Sequence, residues 1–252
     1  MSRTPDRRSE LLYGRNAVIE AIRGRRTHRR LYVAHGAERQ ERISELLARA
    51  SEMKLPISRI HVREMDHLVG DVNHQGIVLE SGPYPYSSLD DVLGDAEHRP
   101  ILVLDHLQDP QNLGSLLRTA EATGVAGVVF PDRRAAGITP SVVNASAGAV
   151  EHLRIARVTN LARSLEAIKE NTYWVVALEH EDETRSIFEE SIPVPTALLL
   201  GSEGKGVGPA LLRHADLVVS IPMEGQIESL NASVAGSVAL YELLRRRYSA
   251  EP

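Results

Sequence analysis

The stretch that most constrains this chain is ALLLGSEGKGVG, from Ala197 to Gly208. Ala197, Leu198, Leu199 and Leu200 form an apolar run that stops at Gly201, and glycine recurs at 204, 206 and 208. A short apolar run bounded by turn residues reads as a strand buried on both faces, as in a parallel sheet. Glycines just beyond such a strand let backbone N–H and C=O groups approach a ligand, because no Cβ stands in the way. In an open α/β sheet, the space beyond the strand ends is where ligands sit. A tight surface turn that uses glycine for its geometry alone is the simpler account of the same residues. Spacing excludes two familiar loops. A Walker A loop counted from Gly201 meets Val207 where it needs lysine, and a dinucleotide fingerprint counted from Gly204 meets Pro209 where it needs its third glycine.

The chain has 252 residues, enough for one large domain or two modest ones. Apolar and charged fractions of 42% and 25% are those of an ordinary soluble globular protein. No apolar run reaches the length of a membrane span, and no signal-peptide core stands near the start. With no cysteine there is no disulfide, thiolate nucleophile or cysteine metal site, which fits a reducing cytoplasm. The net charge of −5 is unevenly spread. Arg3, Arg7, Arg8, Arg15, Arg23, Arg25, Arg26, Arg29 and Arg30 meet only Asp6, Glu10 and Glu20 in the first thirty residues. That excess reads as a local anion-binding face, or as a solvated tail and helix surface.

Periodicity divides the chain. Residues 1–10 read as a disordered basic tail and 11–80 as a front domain. The front domain has helices over Ala17–Arg23 and Glu38–Met53, a helical turn over Arg63–Leu68, and strands over Leu31–Ala34, Ile57–Val62 and Gly76–Leu79. Residues 81–99, with Pro83 and Pro85, read as a linker. From 100 to 252, strands are expected at Ile101–Leu104, Gly127–Phe130, His152–Val158, Tyr173–Leu178, Ala197–Leu200 and Leu217–Ile221. Helices are expected at Asn112–Thr123, Ser141–Val150, Asn160–Glu170, Pro209–His214 and Ser229–Arg246. This alternation implies an α/β fold with a mostly parallel sheet covered on both faces.

Three constellations carry chemistry. In DHLQDPQNLGSLLR (105–118), Asp109, Pro110 and Asn112 mark a helix start, and Arg118 is expected on its second turn. A cation there calls for an anion, whether a phosphate held in a bidentate fork or an acid such as Glu121. Glu203 is the acid of the glycine loop, able to orient Arg118 or a substrate hydroxyl. In IPMEGQIESLNASVAGSVALYE (221–242), Ser229 is expected as the helix N-cap with Asn231 beside it. Ala232, Ser233, Ala235, Gly236 and Ser237 let that helix pack closely on another element. No histidine and acid spacing supports a metal site. Asp105 and His106 resemble a catalytic pair only superficially, and His35, His61, His74 and His106 read as structural or surface residues.

NLGSLLRTAEATG (112–124), LLLGSEGKGVG (198–208) and IPMEGQIESLNASVAGSVALYE (221–242), in this order, resemble the three signature motifs of SpoU-type (TrmH family) RNA ribose 2′-O-methyltransferases of the SPOUT class. YGRNAVIEAI (13–22) and NHQGIVLE (73–80) resemble the ribosomal-protein-like substrate-binding domain of the bacterial 23S ribosomal RNA guanosine methyltransferases. The resemblance implies a deep trefoil knot in the C-terminal α/β domain, an exception to unthreaded connection. It implies S-adenosylmethionine held against the backbone of Gly201, Ile221 and Leu230, with Leu200, Ser202 and Met223 around it and no metal. It implies an RNA partner, a homodimer with the site completed across the interface, and catalytic roles for Asn112, Arg118, Glu203, Ser229 and Asn231. Ala232 departs from the valine of many relatives. A guanidinium with a pKa above 12 costs about 7 kcal/mol to deprotonate at neutral pH, so the arginine is read as a phosphate anchor rather than the base. The function expected is 2′-O-methylation of a 23S ribosomal RNA guanosine. The alternatives are the same reaction on transfer RNA or another ribosomal site, or a non-catalytic RNA-binding or ribosome-assembly protein.

Overall fold

A computed structural model describes residues 9–94, 98–133, 135–179, 184–227 and 229–250. Most of the expected basic tail, with Arg3, Arg7 and Arg8, lies outside the described residues. Two compact units emerge, residues up to Pro85 with Ile138–His152, and Tyr86–Gly137 with Leu153 onward.

The first unit opens with strand β1 (Glu10–Tyr13), helix α1 (Arg15–Arg23) and strand β2 (His28–Ala34). Helix α2 (Glu41–Glu52), strand β3 (Ile57–Ile60), helix α3 (Val62–Val69) and strand β4 (Ile77–Ser81) follow. Ile43, Leu46 and Ala50 are the buried stripe of α2, and the expected start at Glu38 is a separate 3-10 turn, Ala37–Arg39. Among the described residues the sheet order is β1-β4-β2-β3. β4 runs antiparallel to both neighbours while β2 and β3 are parallel, so this sheet is mixed. The helical crossover α2 enforces the one parallel pair. β1 escapes sequence reading because a four-residue strand with one fully buried side chain, Leu12, leaves little periodic signal.

The second unit contains helix α4 (Leu89–Gly94), strand β5 (Ile101–Leu104), helix α5 (Pro110–Ala122) and strand β6 (Gly127–Pro131). The chain leaves it for helix α6 (Pro140–Ala145) and returns as strand β7 (Ile155–Val158), helix α7 (Leu161–Glu170) and strand β8 (Trp174–Leu178). Strands β9 (Arg185–Ser186) and β10 (Thr196–Leu200), helix α8 (Pro209–Leu212), strand β11 (Leu217–Ser220) and helix α9 (Ala232–Ala250) complete it. Among the described residues its strand order is β7-β6-β5-β10-β8-β11-β9, with every pairing parallel. β10 is central, buried at all five positions, and paired to β5 through Leu200 and Leu104 and to β8 through Leu200 and Leu178. Burial on both faces explains its unbroken apolar run, each leucine contributing about 1.5–3 kcal/mol.

Helix α9 begins three residues later than expected. The Asn231 side-chain oxygen accepts from Ser233 N at 2.9 Å and Val234 N at 3.3 Å, so Asn231 is the N-cap and Ser229 is not. A cap must sit one residue before the first helical turn to reach the N–H groups two and three residues on. A Cβ at Gly236 would lie 2.5 Å from Leu200 Cδ1 and 2.8 Å from Leu116 Cδ1, so glycine is what lets α9 rest on β10 and α5. The helix expected over Ser141–Val150 breaks into α6 and a 3-10 turn, Ala149–His152, because Ala147 and Gly148 have φ of 52° and 86°.

The excursion through α6 closes the first unit. The Arg26 side chain is fully buried, and its Nε donates to both Glu151 oxygens at 2.8 and 3.0 Å. Arg26 also meets Glu10, donates to the Gly82 carbonyl at 3.2 Å and lies 5.2 Å over the Tyr84 ring. Tyr84 Oη donates to Val150 O at 3.1 Å, and Asn144 Nδ2 to Tyr13 O at 3.1 Å. Burial pushes the Glu151 carboxyl above its ordinary range, and the Arg26 guanidinium pulls it back. Removing Arg26 leaves an uncompensated buried carboxylate, so Arg26→Met should cost about 3–5 kcal/mol at neutral pH. The lost pull raises the folded-state pKa further above the unfolded value, so the penalty is largest above that pKa and relieved as pH falls through it. Urea midpoints of variant and wild type should therefore converge between pH 7.5 and 5; a gap independent of pH would refute the account.

Candidate functional site

At the carboxyl ends of β8, β10 and β11 lies a cavity of about 670 Å³. Leu200, Gly201, Ser202, Ile221, Met223 and Leu230 line it, with Glu203, Ser229 and Asn231 and, beyond the sequence motifs, Leu178 and Glu179. Its size is that of a small-molecule pocket, and its place is the crevice beyond the strand ends of an α/β sheet. The glycine loop builds one wall. A Cβ at Gly201 would overlap the carbonyl group of Gly206, so the two backbones cross in direct contact. Ser202 N donates to Gly206 O and Gly206 N to Ser202 O, both at 3.0 Å, closing the loop on itself. Among the described residues the peptide groups of Gly201, Ile221 and Leu230 have no hydrogen-bond partner. They remain available to a ligand.

Three side chains fix this wall. Glu179, first after β8, accepts from Val207 N–H. Asp105, first after β5, accepts from Gly208 N at 2.9 Å, while its other oxygen meets His106 Nδ1. Asp105 and His106 are thus in contact, and Asp105 holds the loop through Gly208. Glu203 accepts from Asn112 Nδ2, whose own backbone N–H donates to Asp109 at 3.0 Å. Asn112 Oδ1 accepts in turn from Asn231 Nδ2 at 3.1 Å, and Ser233 Oγ donates to Asn231 Oδ1 at 2.7 Å. The fold therefore joins Asn112, Glu203 and Asn231, residues from three distant stretches, at the rim.

Arg118 stands apart. Helix α5 starts at Pro110, which sets Arg118 on its third turn rather than the second. It is exposed on the stripe of Gln111, Ser115 and Ala122, away from the pocket wall, and forms no ion pair among the described residues, Glu121 included. Among the described residues no group of three or more histidine and acid side chains could hold a metal ion.

The profile of the SpoU rRNA Methylase family matches residues 99–241, and that of RNA 2′-O ribose methyltransferase substrate binding matches residues 11–87. The chain belongs to the SpoU methylase family. This SpoU chain is 40% identical over 243 residues to YacO of Bacillus subtilis, assigned to the TrmH family of tRNA/rRNA methyltransferases, covering 94% of this chain and 96% of that one. It resembles the structure of an RNA 2′-O ribose methyltransferase at 27% identity and a TM-score of 0.76, over 96% of this chain and 90% of that one. The fold is shared with the SpoU methyltransferase AviRb from Streptomyces viridochromogenes, solved with AdoMet, at 24% identity and a TM-score of 0.80, over 96% and 92% of the two chains.

Three participants of this SpoU site are given no part in it by the sequence reading, which sets Asp105 aside, reads Ser233 as a packing residue and passes over Glu179. Glu179 carries a signal in retrospect, an acid ending an apolar strand that pairs with the glycine-loop strand. Ser233 sits two residues beyond the Asn231 cap and is buried. Asp105 ends the strand on the other side of β10. Crowding and backbone angle separate the glycines. Gly201→Ala should cost about 3 kcal/mol, since neither crossing strand can retreat. Gly204, at φ 73° with nothing within 4 Å of its Cβ position, should lose only about 1–2 kcal/mol on mutation to alanine. Chemical denaturation of both variants measures the difference, and equal losses would rule out the crossing as the cause.

Proposed function

We propose that this chain is an S-adenosylmethionine-dependent RNA ribose 2′-O-methyltransferase acting on a guanosine of 23S ribosomal RNA in the cytoplasm. One observation carries the reading, the pocket of unpartnered peptide groups with Asn112, Glu203 and Asn231 tied together at its rim. SpoU methylases use S-adenosylmethionine, and the pocket fits it: Gly201, Ile221 and Leu230 offer backbone groups, while Leu200, Met223 and Leu178 offer apolar surface. That cofactor, when bound, supplies an already activated methyl group. The protein's task is then to align the ribose hydroxyl and provide for its proton. Glu203, oriented by Asn112, and Ser229 stand where a hydroxyl can be held, and Asn231 keeps the helix end and Asn112 in register.

Arg118 anchors an RNA phosphate, and it does so at the pocket of a second copy. Its place on the outer stripe of α5 supports this, as does the neighbouring surface of α9. Val234, Tyr241 and Tyr248 recur there every seven residues at 48%, 54% and 70% exposure, an apolar stripe that suits a symmetric partner. The front unit supplies RNA affinity. Arg15, Arg39 and Arg42 form no ion pairs among the described residues, whereas Arg23 and Arg26 are committed to Glu20 and Glu151. A built front unit of this kind favours ribosomal over transfer RNA.

Ribose-methylation mapping of RNA from a deletion strain should show one 23S guanosine losing its mark. Loss from a transfer RNA would shift the substrate, and no loss would favour a non-catalytic role. Mixing Arg118→Ala with Gly201→Val tests the shared site. If each site draws Arg118 from the partner, each mixed dimer regains one intact site of two, and an equimolar mixture, about half mixed dimers, regains about a quarter of wild-type activity. Persistent inactivity in dimers shown to mix would put Arg118 in its own chain's site.

A further inference from the structure

Glu179 is an acid on the pocket wall that none of the three motifs contains. The register Leu178↔Leu200 sets it beside Gly201 on one neighbouring strand, and Leu178↔Val219 sets it beside Ser220 on the other. Its N–H donates to Val219 O at 2.9 Å, so its backbone is fixed between the two strand ends that lead to Gly201 and Ile221. Its carboxylate is fixed as well, accepting from Val207 N–H against the turn at Gly206. The other acid lining the pocket, Glu203, is turned toward Asn112 at the rim, away from the strand ends. A carboxylate accepts at about four lone-pair positions, so accepting from Val207 N–H does not by itself exclude accepting from a ligand. An adenosyl group offers a vicinal pair of ribose hydroxyls, two adjacent donors that match the two oxygens of one carboxylate. An acid serving a ribose hydroxyl is a recurring device at the strand ends of α/β sheets.

We propose that Glu179 is the ribose-recognition residue of the pocket, its carboxylate accepting from the hydroxyls of the adenosyl group. This rests on the pocket being an S-adenosylmethionine site. The same carboxylate holds Val207, so ribose binding and order in the glycine loop are coupled through it.

Calorimetry on the full-length chain tests the assignment, with S-adenosylhomocysteine, its 2′-deoxy and 3′-deoxy analogues, and S-adenosylmethionine. Wild type should bind the deoxy analogues about ten- to a hundredfold more weakly than the parent, since each loses a bond to a charged acceptor. Glu179→Gln should bind the parent more weakly by a similar factor and no longer distinguish the analogues. A merely structural latch would weaken all ligands and leave that distinction intact, which overturns the proposal. Equal affinity of wild type for parent and both deoxy analogues overturns it without any variant. A loss confined to S-adenosylmethionine would put the carboxylate at the sulfonium and overturn it too. If wild type binds neither cofactor form, the cofactor reading itself falls, an outcome distinct from the others.

Discussion

The close crossing of Gly201 and Gly206 is the constraint on which the site depends. β10 is covered on both faces and paired on both edges, so its chain can leave the sheet only beyond Leu200. Turning back on itself at that point brings backbone onto backbone, and the two Ser202–Gly206 hydrogen bonds lock the turn. A loop folded this way shows peptide groups to the pocket in place of side chains. Glycine makes the turn possible at a cost of about 0.5–1 kcal/mol of backbone entropy each. Ionised acceptors offset it. Bonds from Val207 to Glu179 and from Gly208 to Asp105 contribute about 1.5–3 kcal/mol each when the acceptor is charged. Those acids end the two strands flanking β10, so the sheet itself supplies the clamps.

The opposite wall obeys a second close approach. Gly236 seats α9 on Leu200 and Leu116, and Thr119 Oγ1 lies 2.9 Å from Ser237 Oγ between α5 and α9. With the two helices locked, their N-terminal ends converge, and Asn112 and Asn231 meet there. Asn112 then has its amide N–H on Glu203 and its oxygen on Asn231. Its side chain is a spacer that holds an acid on one side and the cap of α9 on the other, a task that needs a donor and an acceptor on one group, which an amide supplies.

Fold class and the central strand were legible because burial on two faces writes itself as an unbroken apolar run. The pocket was legible through glycine, whose recurrence after Leu200 has few other physical causes. Helix caps were less so. Ser229 and Asn231 both have capping side chains, and which one caps depends on where α9 meets Leu200, a tertiary fact. The loop-holding roles of Glu179 and Asp105 were illegible for a related reason, since an acid at a strand end gains meaning only when the strand order puts it beside β10. The arginine-rich beginning misled most. Arg26 belongs to the core of the first unit, because Glu151, 125 residues on, comes back to meet it.

That return decides where the front unit ends. The chain passes between the two units at 85–86, 137–138 and 152–153. Two of these passages belong to the excursion through α6, which carries Glu151, Asn144 and Val150 into the front unit. The proline-bearing stretch before α4 is built in as well: Tyr84 is buried, Tyr86 lies 4.9 Å under the Arg157 guanidinium, and Ser87 bridges Ala156. The buried Arg26–Glu151 pair keeps that excursion docked, so the front unit is completed by a segment that sequence order places more than a hundred residues away.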